Sequence, residues 1–253
     1  MPWDPDRYRA FQSERFAPFD DLVALVTVRA GIAAVDLGCG TGELTRRLAD
    51  LLSGSDVAGI DSSPQMLGEA ARLARPGLRF TRGAIEDVAG AWDLVFSHAA
   101  LQWVDGHRDL IPRVWSLVRP GGQLAVQVPS NHTHPTHTLL AETAAEAPFR
   151  DALGGWVRHA PVLDTEDYAS LLFALGGERI TVFEKVYAHV LADAGAMADW
   201  VAGTAMVPYM ERLPEALRPA FTERYRARLR ERFPETPVFY PFKRTLFAAT
   251  KPA

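Results

Sequence analysis

The segment that most constrains this chain reads Val35-Asp36-Leu37-Gly38-Cys39-Gly40-Thr41-Gly42-Glu43. An apolar run enters a loop with glycine at alternate positions, and an amphipathic stretch follows. Glycine there permits tight turning and lets the backbone approach a ligand with no Cβ in the way. Strand, glycine loop and helix in that order make the first unit of a parallel α/β sheet, where ligands bind beyond the carboxyl ends of the strands. A glycine loop alone is weak evidence. Asp61 adds weight, because it ends the next apolar run, and an acid at that place accepts hydrogen bonds from ribose hydroxyls.

Charge then narrows the ligand. A dinucleotide puts a pyrophosphate at the helix N-terminus, and Asp36, two residues before Gly38, would repel it. No Gly-Lys-Ser/Thr follows the loop, which argues against a nucleoside triphosphate. The methionyl part of S-adenosylmethionine (SAM) carries an ammonium, a carboxylate and a sulfonium and has no phosphate, so a carboxylate beside it is favourable. The loop reads as a SAM site.

The rest of the first half repeats the strand–helix alternation. Strands are expected at 32–37, 57–61, 78–81, 93–97 and 123–128, with helices at 43–52, 64–74 and 107–117 and a turn at Pro120-Gly121-Gly122. After Val128 the rhythm changes. A His-, Thr- and Pro-rich stretch holds one helix near 137–147, and a helix at 166–175 and a strand at 179–190 follow. Residues 195–233 read as helical with breaks at Pro208, Pro214 and Pro219, and a last strand is expected at 244–250. No internal repeat or linker divides the 253 residues, so one domain is expected, with insertions at about 129–165 and 190–240 capping the ligand side of the sheet.

Three ordered motifs carry a family resemblance: Asp36 to Gly42, Gly59-Ile60-Asp61-Ser62-Ser63-Pro64-Gln65-Met66-Leu67, and Trp92 through Trp103. In this order and spacing they resemble class I SAM-dependent methyltransferases. Trp3, Pro5, Tyr8 and Arg15 narrow the resemblance to trans-aconitate 2-methyltransferases, as do Gln127 to Asn131, Pro135-Thr136-His137, Asp199-Trp200-Val201, Arg224-Tyr225 and Phe242-Lys243-Arg244. The resemblance implies an α/β, Rossmann-like, seven-stranded, mostly parallel sheet with its last strand antiparallel, helices on both faces and a helical cap formed by the two insertions. It also implies that Gly38, Gly40 and Gly42 line the methionyl pocket with Asp36 beside them. Asp61 would hold the ribose, Ser62 and Met66 would lie near the adenine, and Ser97, Leu101, Gln102 and Trp103 would form the wall after the fourth strand, with Arg15 also on the cofactor. The family usually has an acid where this chain has Ala84. Either the backbone of Ala84 and Ile85 meets the adenine, or Glu86 or Asp87 reaches in. His98 stands where an Asn is expected.

The resemblance further implies a small di- or tricarboxylate substrate, methylated to an ester. A carboxylate of ordinary pKa, about 4, is ionised at neutral pH and needs no general base, so the protein's task is to hold and partly desolvate a polyanion. Bidentate Arg is the strongest device for that. The candidates are Arg244, Lys243 and Tyr240 before the last strand, Arg158 and His137 in the first insertion, and Trp200, Thr204 and Tyr209 in the second. Alternatives are a carrier-bound carboxyl or other O or N nucleophile, a non-catalytic SAM-binding protein, and, disfavoured by Asp36, a nicotinamide-linked oxidoreductase.

Other features have plainer readings. His132, His134 and His137 lack the neighbouring carboxylate or cysteine of a metal site, so no metal is expected. Leu217, Phe221, Tyr225 and Leu229 repeat every four residues, so a helix buries one face there and the Arg224–Arg232 run is its solvated side rather than a nucleic-acid surface; Lys plus Arg, at 27, is outnumbered by 31 acids. Cys39, the only cysteine, reads as a small packed residue in a reducing compartment. No signal-peptide pattern opens the chain and no apolar run nears the ~20 residues of a membrane span, so a cytoplasmic monomer or weak homodimer is expected.

Overall fold

The computed structural model describes residues 13–253, with side chains from Phe16 onward. Trp3, Pro5 and Tyr8 lie outside the described residues. So does the side chain of Arg15, whose backbone belongs to the first described helix, α1 (Ser13–Val23).

Seven strands form one sheet in the order β3-β2-β1-β4-β5-β7-β6. They are β1 (Ala33–Leu37), β2 (Asp56–Asp61), β3 (Leu78–Arg82), β4 (Trp92–His98), β5 (Val118–Pro129), β6 (Glu178–Leu191) and β7 (Val238–Thr250). β1 to β5 are parallel, whereas β7 runs antiparallel to both β5 and β6. Helices α2 (Glu43–Leu51), α3 (Pro64–Ala70) and α4 (His107–Ser116) make the crossovers. The chain winds outward from β1 to β3, then returns to place β4 on the other side of β1. The strand order therefore reverses between β1 and β4, the place where such sheets bind ligands.

Alternation along the strands sends side chains into two cores. Ala34, Leu94, Phe96 and Ala125 pack with Phe19 and Leu22 of α1 and Leu48 of α2. Val35, Leu37, Val95 and Leu124 pack with Leu110, Ile111 and Val114 of α4 and with Tyr168 and Leu172 of α7 (Thr165–Ala174). Helices thus cover both faces, as the period-two pattern requires.

A third cluster stands apart from the central sheet. It joins α5 (Pro135–Ala144), α6 (Phe149–Ala152), α8 (Ala194–Ala202), α9 (Val207–Arg212) and α10 (Arg218–Arg232) to Val238, Tyr240 and Phe242. β7 is longer than expected for this reason: only Arg244–Thr250 pairs with β5, while Val238–Lys243 pairs with β6 alone and carries these helices. The helical stretch is broken beside each of the expected prolines, and each proline begins the turn that follows the break. Pro208 and Pro219 sit in the first turns of α9 and α10, where a missing N–H costs nothing, and Pro214 precedes the short 3₁₀ turn Glu215–Leu217. The turn expected at Pro120-Gly121-Gly122 is a bulge inside β5, with the register jumping from Val118 to Gln123 against β4. The stretch expected as one helix at 64–74 is α3 followed by the 3₁₀ turn Ala71–Leu73.

The Arg run of α10 meets acids. Arg224 makes two 2.8 Å bonds to Glu146, Arg228 joins Glu142 and Glu146 at 2.6 and 2.5 Å, Arg226 pairs with Asp199 and Arg230 with Glu223. Phe221, Tyr225 and Leu229 are fully buried beneath them. These arginines do not form the bare basic face that a carrier protein would need.

Candidate functional site

The glycine loop leaves β1 at the strand-order reversal. Gly38, Gly40 and Gly42 all have positive φ, at 79°, 56° and 79°. A Cβ on Gly38 would sit 2.1 Å from Cβ of Ala100, and one on Gly42 would meet the Phe80 ring and Ala70 within 3 Å. Gly38 and Gly42 are therefore needed by the protein's own packing, which presses Gly38 against the turn after β4 and Gly42 against β3 and α3. Cys39 is buried here. Its thiol is pushed far up by burial and by the carboxylates of Asp36 and Asp61, which leaves it an inert packing group.

Asp61 ends β2 and ties this loop in place. One carboxylate oxygen accepts the Gly40 N–H at 2.9 Å and the other accepts the Ser63 N–H at 2.8 Å. Each oxygen keeps a further lone pair for a ligand hydroxyl. Ser63 in turn caps α3 by accepting the Met66 N–H, with Pro64 in the first turn. Met66 is buried and Ser62 exposed. Across from them Ala84 begins the 3₁₀ turn Ile85–Asp87, in which Glu86 and Asp87 are both exposed.

Asp36 is the most unusual charge in the site. It is 3% exposed, and Thr45 donates a 2.6 Å hydrogen bond to Oδ2, but Oδ1 is buried with no partner among the described residues. Burial, helped by the nearby Asp61 and opposed by the Thr45 bond, pushes its pKa up to about 7. An orphaned, half-titrated carboxylate at a nucleotide loop lacks a cationic donor. The ammonium of SAM is such a donor, so Asp36, Asp61 and the glycine loop together fit this cofactor.

The wall after β4 is built from the short turn Leu101–Trp103. Ala99 precedes it with φ 55°, a strained value for a residue with a side chain, and such strain tends to gather at functional sites. Gln102 holds the turn by donating from Nε2 to the Ala99 carbonyl at 2.7 Å, while its buried Oε1 has no partner among the described residues. Ser97 is fully buried and donates to the Leu37 carbonyl at 2.8 Å, joining β4 to β1, so its side chain serves the sheet. His98 is buried and packs edge-on against Phe19 at 6.0 Å.

A cavity of about 510 Å³ opens beside this wall. Gln102 and Trp103 line it together with His137, Arg158, Trp200, Thr204, Tyr209 and Arg244, so residues proposed from both insertions converge on one space. Arg158 stacks on Trp103, 4.2 Å from the ring centre, and donates to the Gln102 carbonyl at 2.9 Å. Among the described residues it forms no ion pair with a carboxylate. Arg244, 5% exposed, lies over the Phe242 ring at 4.8 Å and reaches Oε1 of Gln127 at 3.4 Å. His137 is held neutral, because burial and neighbouring His134, Arg158 and His132 push its pKa down to about 3. Two expected candidates fall elsewhere. Tyr240 is fully buried behind the cavity, its hydroxyl bonded to Thr136 and Asn131, and Lys243 pairs with Glu184 at 2.9 Å. The sequence reading missed His159 and Ala99 as lining residues. A histidine in an irregular segment carries no periodic signal, and Ala99 is marked only by its backbone.

No group of three or more His, Cys, Asp or Glu side chains is placed to hold a metal, and no helix is long and apolar enough to cross a membrane, among the described residues.

Comparison with known proteins agrees with this geometry. Residues 34–122 match the methyltransferase domain family. The chain is 46% identical to the trans-aconitate 2-methyltransferase of Deinococcus radiodurans, covering 100% of this chain and 99% of that one. It is 40% identical to the enzyme of the same name from Paracidovorax citrulli, over 88% and 87% of the two chains. In fold it is similar to the YcgJ protein from Bacillus subtilis (TM-score 0.59, 13% identity, 93% and 98% covered). It is also similar to Haemonchus contortus phosphoethanolamine N-methyltransferase 2 bound to SAM (TM-score 0.54, 15% identity, 92% and 53% covered). A strand-order reversal with a glycine loop, a buried acid with an unmet oxygen, and full-length identity of this degree lead to one assignment: the chain belongs to the trans-aconitate 2-methyltransferase family.

Proposed function

We propose that this SAM-dependent methyltransferase esterifies one carboxylate of trans-aconitate, or of a closely similar di- or tricarboxylate, releasing S-adenosylhomocysteine. SAM, when bound, supplies a methyl group activated by its sulfonium. The protein's part is alignment, since an in-line displacement depends chiefly on how nucleophile and methyl are held. In this reading Asp36 receives the ammonium, Asp61 the ribose, and the turn carrying Gln102 and Trp103 separates cofactor from substrate.

The observation that carries the reading is the pairing of Arg158 and Arg244 on one cavity beside that turn. Each guanidinium rests on an aromatic ring and lines a partly apolar space, where charge-assisted bonds to carboxylates are strong. A carboxylate nucleophile is already ionised, so no base is required, and neutral His137 serves as a hydrogen-bonding wall. Residues 129–165 and 190–240 act as the cap of a single domain spanning 1–253. We also propose a cytoplasmic protein, monomeric or weakly dimeric, without nucleic-acid or membrane partners. A homocysteine-release assay over small di- and tricarboxylates tests the activity. Turnover is expected with trans-aconitate, and its absence from folded, SAM-binding protein would reject the substrate.

A further inference from the structure

Between Ala152, the end of α6, and Thr165, the start of α7, the chain runs as an irregular strap, and residues 158–162 of it line the substrate cavity. The strap is fastened at both ends of that lining by a tyrosine hydroxyl. The Arg158 N–H donates to Tyr209 Oη at 3.2 Å, and the Leu163 N–H donates to Tyr168 Oη at 3.2 Å. Neither tyrosine can move easily. Tyr209 is 2% exposed in the helical cluster, between the rings of Trp156 and Phe221, and Tyr168 is fully buried beneath the sheet, stacked on Phe247 at 4.4 Å. The two pins stand in different clusters, Tyr209 in the helical one and Tyr168 in the core beneath α4 and α7.

The Tyr168 pin reaches the wall after β4 through His107. His107 Nε2 lies 3.0 Å from the Leu101 carbonyl, which can only accept, so Nε2 carries the proton and Nδ1 is the acceptor. Tyr168 therefore donates its O–H to Nδ1, at 2.5 Å, and turns its lone pairs to the Leu163 N–H. Leu101, His107, Tyr168 and Leu163 form one line of hydrogen bonds, buried at its His107 end, linking the turn that carries Gln102 and Trp103 to the strap that carries Arg158.

We infer that Tyr209 and Tyr168 are positioning residues for substrate recognition: their hydroxyls hold the strap so that Arg158 stays on Trp103 and faces the cavity. This rests on the reading above, that Arg158 meets a substrate carboxylate. Releasing one pin frees the strap to sample positions in which Arg158 is displaced, and affinity for the carboxylate falls by the fraction of time it is displaced.

The test uses Tyr209→Phe and Tyr168→Phe in the full chain, each removing one oxygen and keeping the ring. With SAM saturating, KM for trans-aconitate should rise roughly 3- to 10-fold, the scale of one lost hydrogen bond, and by more than kcat falls, with SAM affinity unmoved. Amide hydrogen exchange should quicken at Arg158 in the first variant and at Leu163 in the second, each at its own end. Unchanged exchange at those amides overturns the proposal, as does faster exchange with an unchanged KM, or a loss of SAM affinity equal to the loss for substrate. Arg158→Ala separates the two readings. If it leaves KM unchanged, the substrate contact itself is wrong, and exchange at the two amides still decides whether the hydroxyls hold the strap.

Discussion

Asp36→Asn should stabilise the ligand-free protein while weakening SAM binding. The carboxyl is raised from 3.8 to about 7 by burial, a displacement that corresponds to roughly 4 kcal/mol of opposition to its charge. The sign follows from the two states. An unfolded Asp36 ionises near 3.8 and the folded one near 7, so the unfolded state releases its proton first. The favourable neutral contribution is complete below 3.8, drains away as pH rises, and is lost above about 7. Asparagine is neutral throughout. Its Oδ1 can keep the Thr45 bond, and its amide nitrogen takes the orphaned position at a cost of about 1–3 kcal/mol that does not depend on pH.

That constant cost cancels when two pH values are compared. Between pH 5 and pH 8 the wild-type penalty grows by about 3 kcal/mol, so the Tm advantage of Asp36→Asn should widen by roughly 5–10 °C over that interval. Calorimetry of both proteins without ligand makes the measurement. SAM affinity of the variant should fall roughly 10- to 100-fold at pH 8, because a charge-assisted bond is replaced by a clash of donors. A Tm difference that stays constant with pH would show that Asp36 carries no raised pKa, and the case for an unmet cation at this loop would fail with it.

Other perturbations probe the remaining parts. Asp61→Ala should weaken SAM by roughly 10- to 100-fold through loss of the ribose acceptor, and should lower Tm as well, because the Gly40 and Ser63 amides lose their acceptor; titration and melting check both. Arg244→Lys keeps the charge but loses the planar fork and the ring stacking, so kcat/KM for trans-aconitate should drop on the order of 30- to 1,000-fold while SAM affinity holds; an equal fall in both would make Arg244 a structural residue. With both ligands saturating, kcat should be flat from about pH 6 to 8, since His137 titrates near 3 and the nucleophile is already ionised, whereas kcat/KM for SAM should fall below about pH 7 as Asp36 protonates. A neutral limb in kcat itself would point to a titrating base.

The fold was legible where local and global signals agree. The period-two strands, the crossover helices and the glycine loop all lie in continuous segments, and each appears within a few residues of its expected bounds. What was not legible depends on long-range pairing. β7 extends back to Val238 only because β6 lies beside it, so the six residues after Pro237 read as loop until that partner is known. Arg244, Trp200 and His137 reached the cavity as expected, whereas Tyr240 did not. Its place between Phe239 and Pro241 gives no hint that alternate residues of β7 turn towards the helical cluster. The His107–Tyr168 pair spans 61 residues and leaves no mark in either local sequence.

Three positions that break local rules lie close to one point in the structure. Asp36 is a buried carboxylate with an unmet oxygen, Ala99 holds a positive φ, and Gln102 buries an unmet acceptor. Each would be removed by selection for stability alone, since an apolar residue, a glycine or a shorter side chain would relieve it. All three flank the contact between Gly38 and Ala100, where the β1 loop presses on the turn after β4. A cofactor bound at that contact would meet a cation-seeking oxygen on one side and a turn held in a strained form on the other. Binding and folding therefore oppose each other here, and the Asp36→Asn measurement reads both sides of that opposition in one residue.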